Sequence, residues 1–141
     1  TTSAYREFSL FYMKKIYDHL ENKFNGLTVP VILFTKCSHL WVDDIAKTGC
    51  DAISLDWQCN IGEVRKKVGD HVALQGNMNP AVLKEKKETI VKEVESILDS
   101  YGRGPGHIFN LGHGITPDID PENVEVLVEA VHDLSKKYHA K

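Results

Sequence analysis

Four short apolar runs, at residues 31–35, 52–57, 72–77 and 107–111, punctuate the chain, and none alternates apolar with polar residues. A strand with one face in water must alternate, because successive side chains point to opposite faces. Runs of strand length without alternation therefore predict buried parallel strands, the kind found in α/β proteins.

The stretches between them carry helical spacing. Phe8, Phe11, Tyr12, Ile16, Leu20 and Phe24 recur every three or four residues, an apolar stripe on an opening helix that Gly26 ends. Ser38 is placed to cap a helix bearing Trp41, Val42 and Ile45 up to Gly49, and Asn60 to cap one bearing Ile61 and Val64 up to Gly69. Asn79-Pro80 and Asp120-Pro121 each pair a capping side chain with proline at the first helical position. The stripes that follow are Ile90, Val91, Val94, Ile97 and Leu98, closed by Gly102, and then Val124, Leu127, Val128, Val131 and Leu134. Lys136 and Lys137 stand near the negative end of the last helix.

Strand and helix thus alternate four times, with no repeat, low-complexity tract or linker, which predicts one α/β domain over residues 1–141. Two closures fit that order. One is an open doubly wound sheet; the other is half of an eight-stranded barrel, which takes ~250 residues when complete.

Composition narrows the setting. With 42% hydrophobic and 26% charged residues the chain can bury a core. No stretch approaches the roughly 20 apolar residues of a membrane span, and the first residues do not read as a secretory signal. The formal charge is −3, and Lys and Arg are interspersed with Asp and Glu, which argues against a nucleic-acid partner. Cys37, Cys50 and Cys59 form no CxxC pair and are odd in number, which implies free thiols and a cytoplasmic location.

In both closures ligand groups gather where strands end. Those ends read Thr35-Lys36-Cys37-Ser38-His39, Asp56-Trp57-Gln58, Gln75-Gly76-Asn77-Met78-Asn79-Pro80 and Asn110-Leu111-Gly112-His113-Gly114. His113, flanked by two glycines, leaves its imidazole free to donate, accept or shuttle a proton; the competing reading is an exposed residue in a glycine turn. Lys36 is suited to receive a carboxylate, or else to snorkel at the surface. Asp56 reads as a base or as a cap of the next turn, and Gln75 and Asn77 as ligand-orienting amides or as partners for backbone groups. Cys37, His39 and Cys59 offer thiolate and imidazole but no established zinc spacing, so no metal site is expected. No GxGxxG, GxxxxGKS or GxSxG motif is present.

Three segments, Ile-Ser-Leu-Asp-Trp at 53–57, Val-Ala-Leu-Gln-Gly-Asn-Met-Asn-Pro at 72–80 and Gly-His-Ile-Phe-Asn-Leu-Gly-His-Gly at 106–114, occur in the order and spacing of uroporphyrinogen decarboxylases, which the chain resembles. The likeness extends through residues 29–36 and through Glu129 to His132. It implies the C-terminal half of a (βα)8 TIM barrel. It also implies a cofactor-free lyase that decarboxylates the four acetate side chains of uroporphyrinogen III to coproporphyrinogen III in porphyrin and heme biosynthesis. His113 matches the histidine of the family's Asn-Leu-Gly-His-Gly segment, and the resemblance gives it a catalytic and substrate-binding role. The family's arginine motif, substrate-gripping aspartate, tyrosine and serine belong to the half not matched here, so the chain alone is expected to be inactive. Asn79 stands where the family commonly has aspartate, and Cys37-Ser38 where it has a glycine-containing turn.

Two alternatives bear on function. A zinc-dependent methyltransferase of the same superfamily would want His-x-Cys at the first strand and cysteine at the last, whereas the chain has Cys37-x-His39 and His113. A non-catalytic assembly unit would exploit the unpaired edges of four strands, and those edges predict a homo-oligomer, most simply a dimer.

Overall fold

The computed structural model describes residues 1–139. The chain opens on α1 (Thr2–Tyr5), passes through a π-helical turn at Arg6–Leu10 and continues as α2 (Phe11–His19). The π turn shifts the phase of the residues that follow it. The side chains that dock are Tyr5, stacked on Trp41 with ring centroids 4.0 Å apart, Arg6, which donates twice to Asp44 at 2.8 and 3.2 Å, and Tyr17, whose hydroxyl donates to the Gly49 carbonyl at 2.7 Å. The apolar stripe read from the spacing faces solvent instead: Phe8 is 71% and Ile16 63% exposed.

Nor does this helix reach Gly26. β1 (Lys23–Phe24) and β2 (Leu27–Thr28) pair antiparallel around Asn25-Gly26, both at positive φ, 48° and 79°. Asn-Gly is the preferred pair for a tight hairpin turn, and this local signal prevails over the helical spacing of Leu20 and Phe24.

The remaining elements are β3 (Ile32–Phe34), α3 (Val42–Ala46), β4 (Ala52–Ser54), α4 (Ile61–Val68), β5 (Ala73–Met78), α5 (Lys87–Tyr101), β6 (His107–Leu111) and α6 (Pro121–His139). The four strands form one parallel sheet in the order β3-β4-β5-β6, as the apolar runs predicted. Of the four expected caps, Asn60 and Asp120 hold, and Asn79 caps a 3-10 turn instead of α5. The Asn60 carboxamide oxygen accepts the Glu63 N–H at 3.0 Å, Asn79 accepts that of Ala81 at 3.0 Å, and Asp120 accepts that of Glu122 at 2.9 Å. Pro80 begins a separate 3-10 turn, Pro80–Lys84, ahead of α5. Ser38 is no cap: it is buried, its hydroxyl donates to the Ser54 carbonyl at 3.3 Å, and α3 starts only at Val42.

Ile53, Leu55, Leu74 and Met78 from the strand segments meet Ile61, Val64, Leu83, Ile90 and Val94, all 2% exposed or less. Each such side chain contributes about 1.5–3 kcal/mol relative to exposure. The other face of the sheet carries Ile32, Phe34 and Ile108, which are 43%, 46% and 41% exposed. The strands are therefore covered on one face, not on both, and β6 alternates half-buried with exposed residues accordingly.

That one-sidedness separates the two closures, since a doubly wound sheet has helices on both faces whereas a barrel's inner face meets only other strands. The architecture is that of half a βα barrel.

His107 closes the bottom of β6, with Nε2 3.0 Å from the Gly76 carbonyl and its ring stacked on Tyr101 at 4.4 Å. Burial pushes its pKa below the usual 6.5, the hydrogen bond to Gly76 opposing, which favours the neutral imidazole. Among the described residues, no helix is long and apolar enough to cross a membrane.

Candidate functional site

At the mouth of β4, Asp56 is 1% exposed. Its two carboxylate oxygens accept the backbone N–H groups of Cys37 and Gln58, the second at 2.9 Å. The side chain thus clamps the loops that follow β3 and β4 together, the capping role. Asn77 is similar. Its amide donates to the carbonyls of Asp56 at 3.0 Å and Cys59 at 2.8 Å, so it satisfies backbone groups. Gln75 is half-buried on β5.

His113 follows β6 and is exposed. Its Nδ1 accepts the Gly114 N–H at 2.8 Å. A nitrogen that accepts carries no proton, so the neutral ring holds its proton on Nε2. Phe34 and Trp57 meet the ring edge-on, with centroids 6.4 and 5.8 Å away. These aromatic walls come from the loop ends of β3 and β4, and neither residue stood among the candidate site residues. The signal available was their position, one at the end of an apolar run and one just past it.

Only Gly112 of the two flanking glycines is held by packing. A Cβ there would lie 2.3 Å from the Trp57 nitrogen and 2.8 Å from the Asp56 carbonyl carbon, whereas one on Gly114 would meet nothing within 4 Å.

The imidazole opens on a groove of about 680 Å³, lined also by Phe34, Ser54, Ile115, Leu127 and Val128. Its walls are mostly apolar, and His113 and His132 are the ionisable groups among them. Lys36 is exposed at the mouth of β3, on the opposite outer strand, and does not line this groove.

Cys37, Cys50 and Cys59 are all free thiols. Burial, with the Asp56 charge adding to it, pushes the Cys59 thiol up to about 11. The trio Cys37, His39 and Cys59 does not assemble as a site. The Cys37 thiol donates to the Gln58 carboxamide oxygen at 3.4 Å, and His39 and Cys59 gather instead with Asp56.

The uroporphyrinogen decarboxylase (URO-D) family model matches residues 1–134. The chain belongs to this family. Among uroporphyrinogen decarboxylases, that of Pseudomonas entomophila (strain L48) is 58% identical over 139 residues, 99% of this chain and 39% of its own length. That of Pseudoalteromonas translucida (strain TAC 125) is 57% identical over 135 residues, 96% of this chain and 38% of its own. The chain therefore spans about two fifths of the relatives it matches. A solved methyltransferase from Methanosarcina mazei superposes with a TM-score of 0.76 over 93% of this chain and 37% of its own, at 20% identity, a likeness of fold alone.

The two departures from the family's usual pattern now have a structural reading. Asn79 still caps its turn through the side-chain oxygen, which asparagine and aspartate share. Cys37 sits in the left-handed region, φ 59° and ψ 31°, a conformation that glycine adopts without strain and a cysteine does not.

Proposed function

We propose that this chain is one partial domain, residues 1–141, supplying the C-terminal half of a uroporphyrinogen-decarboxylating barrel in the cytoplasm. The observation that carries this reading is the 58% identity to uroporphyrinogen decarboxylases across 99% of the chain. His113 is its catalytic and substrate-binding residue. A protonated imidazole pairs with a substrate carboxylate, or delivers its proton to the tetrapyrrole and is left as the neutral ring. Protonating a pyrrole turns the ring into an electron sink for the leaving carboxylate, after which a second proton replaces the carbon dioxide. The apolar groove beside His113 suits such a ring, and Phe34 and Trp57 limit how the imidazole turns. Lys36 receives a peripheral carboxylate from the mouth of β3. The reaction draws on no metal or organic cofactor.

A multiply carboxylated substrate needs several Arg or Lys groups for charge-assisted pairing, and among the described residues Lys36 is the cation directly at a strand mouth. The chain alone is therefore expected to form no coproporphyrinogen from uroporphyrinogen above a no-enzyme blank, as measured by chromatography of the oxidised porphyrins. Co-expression with the preceding half of a Pseudomonas relative restores turnover, and His113→Ala in that assembly lowers kcat by about 10²-fold or more. Turnover by the chain alone would refute the half-site reading. Full activity of His113→Ala in the assembly would refute the role of the imidazole.

Partnership follows from the sheet. β3 and β6 each have one neighbouring strand, and the uncovered face bears Ile32, Phe34 and Ile108, so self-association to a homodimer is expected. Light scattering at micromolar concentration checks this, and a stable monomer contradicts it.

A further inference from the structure

We propose that His39, Asp56 and Cys59 form a binding site for a zinc-class divalent cation, held between the loops that follow β3 and β4. One ligand atom from each residue lies within 4.8 Å of the other two. Asp56 and Cys59 reach the cluster from the two ends of one short loop, and His39 from the 3-10 turn Ser38–Leu40. The proposal is independent of the decarboxylase reading, since none of the three residues lines the groove at His113.

Three features point to an ion. The Nδ1 of His39 is buried and has no hydrogen-bond partner among the described residues, a condition that native structures rarely leave unresolved. An ion bound at Nδ1 supplies the missing partner. The ligands' surroundings are also already built: each Asp56 oxygen accepts one backbone N–H and keeps a lone pair, and the Asn77 amide points at the Cys59 sulfur at 3.6 Å. Such outer contacts orient ligands and stabilise the anionic forms a metal requires. Third, the donor set is one imidazole, one carboxylate and one thiolate, which suits zinc or cobalt, whereas magnesium and calcium take oxygen donors.

Ligands about 2.0–2.3 Å from a shared tetrahedral ion stand roughly 3.5 Å from one another, so the cluster closes by about 1 Å on binding. Asp56 is already fixed, which leaves that movement to the side chains of His39 and Cys59. As the ion binds, the Cys59 thiol, which now donates to the Asp56 carbonyl at 3.5 Å, gives its proton to solvent, and the freed sulfur lone pair bonds the metal. The fourth tetrahedral position falls to water. Cys37 is left out because its thiol is engaged with Gln58.

The test is titration of the chelator-stripped chain with Co²⁺, followed by displacement with Zn²⁺. One equivalent of cobalt is expected, with a thiolate-to-cobalt charge-transfer band that zinc abolishes. Cys59→Ser removes the band, His39→Ala weakens zinc binding by at least about tenfold, and Cys37→Ser leaves the band in place. No stoichiometric binding, or a band that survives Cys59→Ser and disappears in Cys37→Ser, overturns the proposal. Should circular dichroism show a variant unfolded, zinc-edge X-ray absorption of the unsubstituted chain decides. One sulfur together with nitrogen and oxygen neighbours supports the site, and any other sulfur count overturns it.

Discussion

Gly112→Ala lowers the thermal midpoint of the chain by about 10 °C, while Gly114→Ala changes stability by no more than about 1 kcal/mol. The two glycines flank the same histidine, yet only one of them is packed. An added Cβ at Gly112 falls 2.3 Å from the Trp57 nitrogen, 2.8 Å from the Asp56 carbonyl carbon and 2.9 Å from the Trp57 Cα. All three are backbone atoms, so no side chain can swing aside, and relief requires the β4 mouth to move. Forced overpacking of this kind costs about 3 kcal/mol, which for a domain of this size is about 10 °C. At Gly114 the added methyl group meets open space, and the smaller conformational freedom of the unfolded alanine chain tends to offset any loss. Paired melting curves followed by circular dichroism test the contrast. Equal midpoints for the two variants would sink the claim that close approach dictates glycine at 112.

Asp56→Ala is the second large effect, expected at about 3 kcal/mol in denaturant titration, with Asp56→Asn intermediate. The carboxylate is buried and accepts from the backbone of Cys37 and Gln58. Removing it orphans two N–H groups in a place that water cannot readily reach, and each such loss costs about 1–3 kcal/mol. Asparagine keeps one acceptor oxygen and so holds one of the two amides. The measurement is made with a chelator present, which keeps any bound cation out of the comparison. A value for Asp56→Ala within about 0.5 kcal/mol of the parent, the range of ordinary surface substitutions, would mean that the two loops are tied by something else.

These two residues mark where reading the sequence reached its limit. Asp56 was recognisable as a strand-end aspartate with two possible uses. The choice depended on Cys37, 19 residues away, lying with its N–H against the carboxylate. Gly112 and Gly114 are indistinguishable on paper, and the difference between them is the position of Trp57. The opening helix departed from its reading twice: its apolar stripe faces solvent, and Asn25-Gly26 made a hairpin where three- and four-residue spacing promised more helix. Asn-Gly was available as a turn signal and outweighed the weaker periodicity.

Local chemistry written in the chain determined the alternation of strand and helix, the caps at Asn60, Asn79 and Asp120, and the motifs that carry the family. Each depends on neighbours a few residues apart, and so survives without knowledge of the fold. Tertiary structure alone decided which face of the sheet is covered, which glycine beside His113 is indispensable, and that His39, Asp56 and Cys59 share one space. Those outcomes depend on contacts between segments distant in sequence, and such contacts leave no periodic trace in either segment.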